Sequence, residues 1–240
     1  APDGYSFVIV IAAHAANPSL YAKLPYDNRN DLAAVSLIGV SPLVAAVNND
    51  APFKNAKELV AYAKQNPGKV SFGSSGNGAA AHLTTELLKT LTQTDMVHIP
   101  YKGAAAALQD LMGGQIQLLF DAASGLINPG KAGQLRLIGV AAERRLPMLP
   151  DVPTFIEQGI AGFTGSTWAG LLAPARTPPA IIKRVSDEVA KIVRLDDVKT
   201  RLEGMGTLPA GSTPEEFAAF IDAETAKWGK VIREAKVKLD

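Results

Sequence analysis

The feature that most restricts the fold is a regular alternation of short apolar segments with segments of helical periodicity. The apolar runs predict strands at residues 5–13, 35–48, 70–73, 96–101, 116–121, 135–141 and 168–173. Helices are predicted at residues 55–66, 78–91 and 104–112, with a short one at 154–158. Alternating strands and helices with short connections predict an α/β fold with mostly parallel sheets, in which the first strand is buried.

Two long helices complete the predicted fold. The first is predicted to begin at Thr177, with Pro178 in its first turn. The second is predicted to begin at Thr213, because Thr213 and Glu216 have the spacing of a capping box. Their apolar faces indicate a structural role.

Composition restricts the kind of partner. The 24 Lys and Arg residues balance 23 Asp and Glu residues and form no basic stripe, which argues against nucleic acid and membrane surfaces as partners. The absence of cysteine excludes thiol catalysis, cysteine-ligated zinc and disulfides. His14, His82 and His98 lack the spacing of metal ligands, so no metal site is predicted. A small molecule is the expected partner.

The junction GSSGNG, at residues 73–78, is the first candidate binding element. Helices usually carry acids in the first turn, as Glu58 and Glu216 do here, because the helix N-terminus is electropositive. From Gly73 to Thr85 there is no charged residue, so the first N–H groups of this helix are left open to an external anion. The pattern recurs after Lys102, where the first acid is delayed to Asp110.

Other interpretations of GSSGNG remain open. Ser74, Ser75 or Asn77 could cap the helix while the glycines form a tight turn. A P-loop is rejected, because Ala79 and Ala80 replace the required Lys and Ser/Thr. A dinucleotide turn at residues 76–81 fits poorly, because the acid at the right distance, Asp95, precedes the next strand. A nucleotide-dependent enzyme that binds phosphate with this loop is kept as the alternative function.

Several single residues are weaker candidates. His14 follows the first predicted strand, and Asp121 ends another on the same side as the two helix starts, where it could accept from a ligand amine, hydroxyl or bridging water. Tyr101 could form an apolar wall or donate its hydroxyl. His82 is expected to pack or to bond the loop, and His98 to be a satisfied core or surface residue.

Longer stretches of the chain resemble the Bug, or TctC-type, family of extracytoplasmic solute receptors, which deliver carboxylates to tripartite tricarboxylate transporters. The resemblance extends over essentially the whole chain in one order. It is carried by DGYSF (3–7), NPSLYAKLPYD (17–27), SPLVAAVN (41–48), FGSSGNGAAAHL (72–83), VHIPYKG (97–103), LMGGQIQLLFD (111–121), LPDVPTFIEQG (149–159) and GSTPEEFAAFI (211–221).

This resemblance implies a two-lobed Venus-flytrap protein of the periplasm, with no catalysis, cofactor or metal. It implies one lobe from residues 1–49 and 166–240, a second from residues 50–165, and a carboxylate bound in the cleft. A monomer that meets the membrane components of a transporter is expected. The implied ligand-binding residues are His14, Asn17, Ser74, Ser75, Gly76, Asn77, Gly78, Ala79, Tyr101, Lys102, Gly103 and Asp121.

The beginning of the chain departs from the family pattern. Members of the family start with a strand, a Pro- and Gly-rich loop and a helix that supply part of the site, whereas this sequence opens on APDGYSF. That unit is therefore expected to be missing from the first lobe. The leading hypothesis is a receptor that holds its carboxylate on the N–H groups of residues 76–79, and a sensory binding module would use the same residues.

Overall fold

The computed structural model describes residues 1–239 and has an α/β architecture. Its strands are β1 (Val8–Ile11), β2 (Leu32–Val47), β3 (Ser71–Ser74), β4 (Val97–Pro100), β5 (Leu118–Ala122), β6 (Arg136–Val140), β7 (Ser166–Pro174) and β8 (Leu208–Pro209). Its helices are α1 (Ala13–Leu20), α2 (Ala56–Gln65), α3 (Ala80–Thr92), α4 (Ala104–Met112), α5 (Ala123–Lys131), α6 (Pro179–Ile192), α7 (Asp196–Gly204) and α8 (Pro214–Glu234).

The chain forms two compact units. Unit 1 comprises Ala1–Ser41, Thr167–Arg233 and Leu239, and unit 2 comprises Pro42–Ser166 with Glu234–Lys238. In unit 1, β1 pairs with β7 and β8 pairs with β2, both antiparallel. In unit 2, the second half of β2 lies between β5 and β6, antiparallel to both, and β3 runs parallel to its neighbours β4 and β5. The expected parallel arrangement therefore holds for β3, β4 and β5, whereas the ladders of β2 are antiparallel.

Helices cover both faces of the sheet in unit 2, which explains why its strands are nearly continuous apolar runs. Side chains alternate along β5, so Leu118 and Phe120 enter one core while Leu119 enters the other. The first core also holds a cluster of aromatic rings in which Phe155 and Phe163 lie 4.7 Å apart. This two-sided burial fixes where β3, β4 and β5 end.

Hydrogen bonds at the helix starts confirm the predicted capping box. Asn55 caps α2 by accepting from the N–H of Glu58 at 2.9 Å. At the start of α8, Thr213 and Glu216 exchange hydrogen bonds of 2.9 and 3.2 Å, which is the capping box expected from the sequence.

Several predictions about local structure are wrong. The first strand is limited to β1, runs antiparallel to β7 and leaves Ile9 64% exposed. The segment 154–158 forms turns, with reciprocal hydrogen bonds between Thr154 and Glu157, and no helix. The sequence also failed to predict α1, α5 and α7; the first two contain Pro18 and Pro129, which argue against a helix when read locally.

Candidate functional site

Three parallel strands of unit 2 end at one edge of the sheet. The register pairs Ser74 with Pro100 across β3 and β4, and β5 runs in the same direction on the other side of β3. Tyr101 follows β4 directly, and Asp121 is the second-last residue of β5. The carboxyl ends of parallel strands are where open α/β folds bind ligands.

Three helices begin at this edge: α3 after β3, α4 after β4 and α5 after β5. None of the three has an acidic residue in its first turn or a side chain that caps it. The sequence predicted two such helix starts and missed the third, at Ala123. The signal was present, since residues 122–130 are uncharged, but Pro129 concealed the helix. The three electropositive ends make this edge suited to an anion.

The backbone N–H groups of the GSSGNG loop are largely occupied within the protein. Gly76 donates to Oγ of Ser74 at 3.2 Å, and Gly78 donates to Nδ1 of His82 at 3.1 Å. Ala79 donates to the carbonyl of Gly76 at 3.2 Å. Three of the four N–H groups that were expected to hold the anion, those of Gly76, Gly78 and Ala79, therefore already have acceptors within the protein.

The open N–H groups lie one step further along the chain. Within residues 1–239, the N–H groups of Ala80, Ala81 and His82 in the first turn of α3 have no hydrogen-bond partner. The same is true of residues 104–106 in α4 and 123–125 in α5. These groups are free donors at the edge.

Ser74 is fully buried and supports the loop from inside. Its hydroxyl lies 2.9 Å from the carbonyl of Gly76 and 2.7 Å from Nε2 of His98. Ser75 is exposed, and Asn77 is half-buried. Ser75 and Asn77 are thus the loop side chains with access to solvent, while Ser74 reaches only the protein interior.

The rings of His82 and His98 stack beneath the loop, with centroids 3.7 Å apart. Burial, followed by the neighbouring charge of His98, lowers the pKa of His82 to about 3. Burial, followed by the charge of Lys89, lowers the pKa of His98 to about 4. Both imidazoles are therefore neutral at pH 7, and they support the loop as expected for His82.

The hydroxyl of Tyr101 has a partner within the protein, which leaves the ring as the part of this side chain that can border a ligand. The hydroxyl donates to Oδ2 of Asp110 at 2.7 Å. Burial first, and then this hydrogen bond, raise the pKa of Tyr101 to about 12. Its ring lies close to Gly73, where an added Cβ would be 3.3 Å from Cε2 of Tyr101. Two roles were expected for Tyr101, an apolar wall of the site or a hydroxyl donor to the ligand, and the geometry favours the apolar wall.

Lys102 and Gly103 lead into α4. Lys102 is exposed and forms no ion pair among the described residues. Gly103 has a φ of 115°, which a residue with a side chain rarely adopts, and this bend sets the direction in which α4 begins. An exposed cation therefore lies beside an uncapped helix start.

Asp121 lies at the start of α5. Its Oδ1 accepts from the N–H of Ala122 at 2.8 Å, and a Cβ at Gly125 would lie 2.9 Å from its Oδ2. Burial raises the pKa of Asp121, and the hydrogen bond from Ala122 opposes this only in part. The carboxyl group is thus held against the helix start in a setting that disfavours its charge.

His14 and Asn17 belong to unit 1, and they lie on α1, not in a loop as expected. His14 is buried, and burial lowers its pKa. With Asn28, Arg29 and other residues of unit 1 it lines a cavity of about 290 Å³. The carbonyl of Asn17 accepts from Tyr21 at 3.0 Å within the helix.

The described residues include no cluster of three or more potential metal ligands, and none of their helices is both long and apolar enough to cross a bilayer. The groups at the edge are neutral N–H donors, one exposed cation and one half-buried carboxyl group. Such a set is suited to reversible binding of a small anion. Together with the parallel strands of unit 2, these features indicate the class of α/β proteins that bind small molecules.

Comparison with known proteins gives the family. Residues 1–237 match the tripartite tricarboxylate transporter family receptor, TctC, and the chain belongs to that family. It is 32% identical to the protein BugT of Bordetella pertussis over 241 residues, covering 100% of this chain and 74% of BugT. Its role is therefore that of a solute-binding receptor.

Solved structures agree with this assignment. The structure of Rpa4515 from R. palustris with adipate has a TM-score of 0.89 and 32% identity, covering 99% of this chain and 80% of that one. MatC from Rhodopseudomonas palustris, with bound malate, has a TM-score of 0.84 and 29% identity, covering 97% and 80%. The nucleotide-dependent enzyme considered above has no support, since the family model and these structures belong to solute-binding proteins.

Proposed function

We propose that this protein is a periplasmic receptor that binds a small dicarboxylate in unit 2 and delivers it to the membrane components of a tripartite tricarboxylate transporter. The observation that carries the proposal is the convergence of three uncapped helix starts, those of α3, α4 and α5, at one edge of the sheet. Helix N-termini stabilise a carboxylate without a strong fixed cation, which permits release as well as capture.

In this proposal the open N–H groups of residues 80–82 hold one carboxylate group. Ser75, Asn77 and Ala79 border this carboxylate group. Gly76 and Gly78 shape the loop, and the buried Ser74 supports the loop from the protein interior. Tyr101 forms a wall, and Lys102 and Gly103 lie beside α4. Asp121 accepts from a hydroxyl or amine of the ligand, or from a bridging water. His14 and Asn17 belong to unit 1; their ligand-binding role stays a prediction from the family resemblance and is not part of the site proposed in unit 2.

The relatives support the choice of ligand class. Adipate and malate, present in the two neighbouring structures, are both small dicarboxylates. The family consists of solute receptors, and we infer that this chain has no catalytic activity. The proposed location follows from the extracytoplasmic character of that family.

A thermal-shift screen followed by calorimetric titration tests the proposal. The panel contains acetate, malate, adipate and citrate, with NAD and ATP as controls. A dicarboxylate should raise the melting temperature and bind with 1:1 stoichiometry, because ligand that binds only the folded state stabilises it. A response to the nucleotides alone, or to none of the carboxylates, would overturn the proposal.

A further inference from the structure

The GSSGNG loop is attached at two points to a pair of stacked histidines. At one point, Oγ of Ser74 lies 2.7 Å from Nε2 of His98 and also accepts from the N–H of Gly76. At the other, Nδ1 of His82 accepts from the N–H of Gly78. The two imidazoles, whose planes differ by 15°, thus hold both ends of a five-residue segment, residues 74–78.

The contacts assign the tautomer of His82. The Ser74 hydroxyl, with a single proton, contacts both the carbonyl of Gly76 at 2.9 Å and Nε2 of His98 at 2.7 Å. His82 accepts at Nδ1, so its proton is on Nε2, which lies 3.7 Å from Oε1 of Glu86. Both rings are neutral in this arrangement.

The charged groups around the pair are few. Glu86 and Lys89, both on α3, form an ion pair of 2.8 Å. From β3, the uncharged ring of Phe72 stacks on His98 with centroids 5.0 Å apart. The burial that lowers the pKa of both histidines keeps them neutral through the physiological range, so the acceptor at Nδ1 of His82 is permanently available.

The second attachment determines how the chain enters α3. Gly78 has a φ of 73°, and its N–H points inward to Nδ1 of His82. Ala79, the next residue, has an extended conformation, and the helix begins directly after it. The open N–H groups of residues 80–82 follow directly. Without an acceptor at His82, the N–H of Gly78 would be buried without a partner, and the loop would have to rearrange.

We propose that His82 is a positioning residue for carboxylate binding: its Nδ1 orients Gly78 and thereby holds the first turn of α3 open to the ligand. The effect on affinity rests on the proposed function above, whereas the effect on the loop does not. Within the protein the geometry requires an acceptor at this position, not a histidine as such.

Two variants separate the effect of the hydrogen-bond acceptor at position 82 from the effect of side-chain packing there. His82→Leu removes the acceptor and keeps an apolar side chain, whereas His82→Asn places an amide oxygen near the position of Nδ1. Exchange of the Gly78 amide hydrogen is measured by NMR in the ligand-free protein. Binding of adipate and malate is measured by calorimetry for the wild type and both variants.

In His82→Leu we expect roughly tenfold faster exchange at Gly78 and roughly tenfold weaker dicarboxylate binding, the effect of one lost hydrogen bond. In His82→Asn both values should stay near those of the wild type. Unchanged exchange and affinity in His82→Leu would overturn the inference. If the wild type binds no carboxylate, the proposed function fails, and the exchange rates alone decide whether His82 positions the loop. If His82→Leu does not fold, a proton found on Nδ1 of wild-type His82 by NMR would overturn the inference, and one on Nε2 would support it.

Discussion

The hydroxyl of Tyr101, which follows β4, donates to Oδ2 of Asp110 on α4 at 2.7 Å. Asp110 is the first acid after the start of α4, so it leaves the helix N-terminus free while it fixes the tyrosine. The ring of Tyr101 thus has a defined orientation beside Gly73. The hydrogen bond to Asp110 therefore indicates that Tyr101 shapes the proposed site with its ring and does not donate its hydroxyl to the ligand.

Tyr101→Phe tests that distinction. Loss of the hydrogen bond to Asp110 should lower the free energy of unfolding by about 1 kcal/mol, as measured by urea denaturation. Dicarboxylate affinity should stay within about twofold, because the hydroxyl already has a partner inside the protein and loss of a ligand hydrogen bond would cost more. A large loss of affinity with unchanged stability would show that the hydroxyl meets the ligand.

Ala79→Asp should separate stability from binding. Ala79 is the N-cap of α3 and has an extended backbone, so an acidic side chain there can accept from the open N–H groups. The helix should gain about 1 kcal/mol in stability. Dicarboxylate affinity should fall by roughly 100-fold or more, because the new charge repels the ligand at short range. Calorimetry and thermal unfolding measure the two effects.

Two control variants accompany this change. Ala79→Asn caps α3 without adding charge, so it should weaken binding less than Ala79→Asp. Ala180→Asp adds the same charge in the first turn of α6, in unit 1, and should leave affinity unchanged. Equal affinity of Ala79→Asp and the wild type would place the carboxylate elsewhere.

Lys102→Gln should weaken dicarboxylate binding modestly. Lys102 is exposed and close to the start of α4, so its contribution is long-range and screened. We expect a loss of about two- to fivefold at low salt, the size of an exposed charge interaction, that disappears as salt is raised. Lys131→Gln, at the opposite end of α5, is the matched control and should have no effect. A loss independent of salt would contradict this interpretation.

Asp121→Asn should stabilise the protein increasingly as pH rises. Burial raises the pKa of Asp121 in the folded state, so folding favours the protonated form. Its contribution to stability is therefore present below the ordinary pKa of an aspartate and is lost as pH rises through the folded-state value. The difference in melting temperature between variant and wild type should grow from pH 4 to pH 8. A constant difference would show that the carboxyl group titrates normally.

The histidine pair predicts acid sensitivity. The pKa values of about 3 for His82 and about 4 for His98 lie below the ordinary value of 6.5. Stability from the neutral pair is complete above pH 6.5 and is lost as pH falls toward 4 and then 3, because the unfolded chain takes up the protons first. Urea denaturation of the wild type should show this slope. In the double variant His82→Asn/His98→Gln, the part of this pH dependence of stability that comes from the two histidines should be absent.

Local sequence patterns predicted correctly those helices and strands whose sequence signals lie within a few neighbouring residues. The capping box of α8 was predicted correctly, because Thr213 and Glu216 lie only three positions apart in the chain. The prolines of α1 and α5 were misleading, because a proline late in a short helix removes few hydrogen bonds and tertiary packing outweighs its local cost. The exposure and antiparallel pairing of β1 depend on β7, more than 150 residues away in the chain.

The sequence by itself determined that two helix starts of this protein carry no acid, and its motifs carry the resemblance to the family along the whole chain. Only the tertiary structure decided which N–H groups are free. The partners of the loop come from distant residues: His98 is 24 positions from Ser74, and the pairing of β5 with β3 brings a third helix start to the same edge. Hydrogen-bond donors are open or closed according to what packs against them, and packing between distant segments is not encoded in any local pattern.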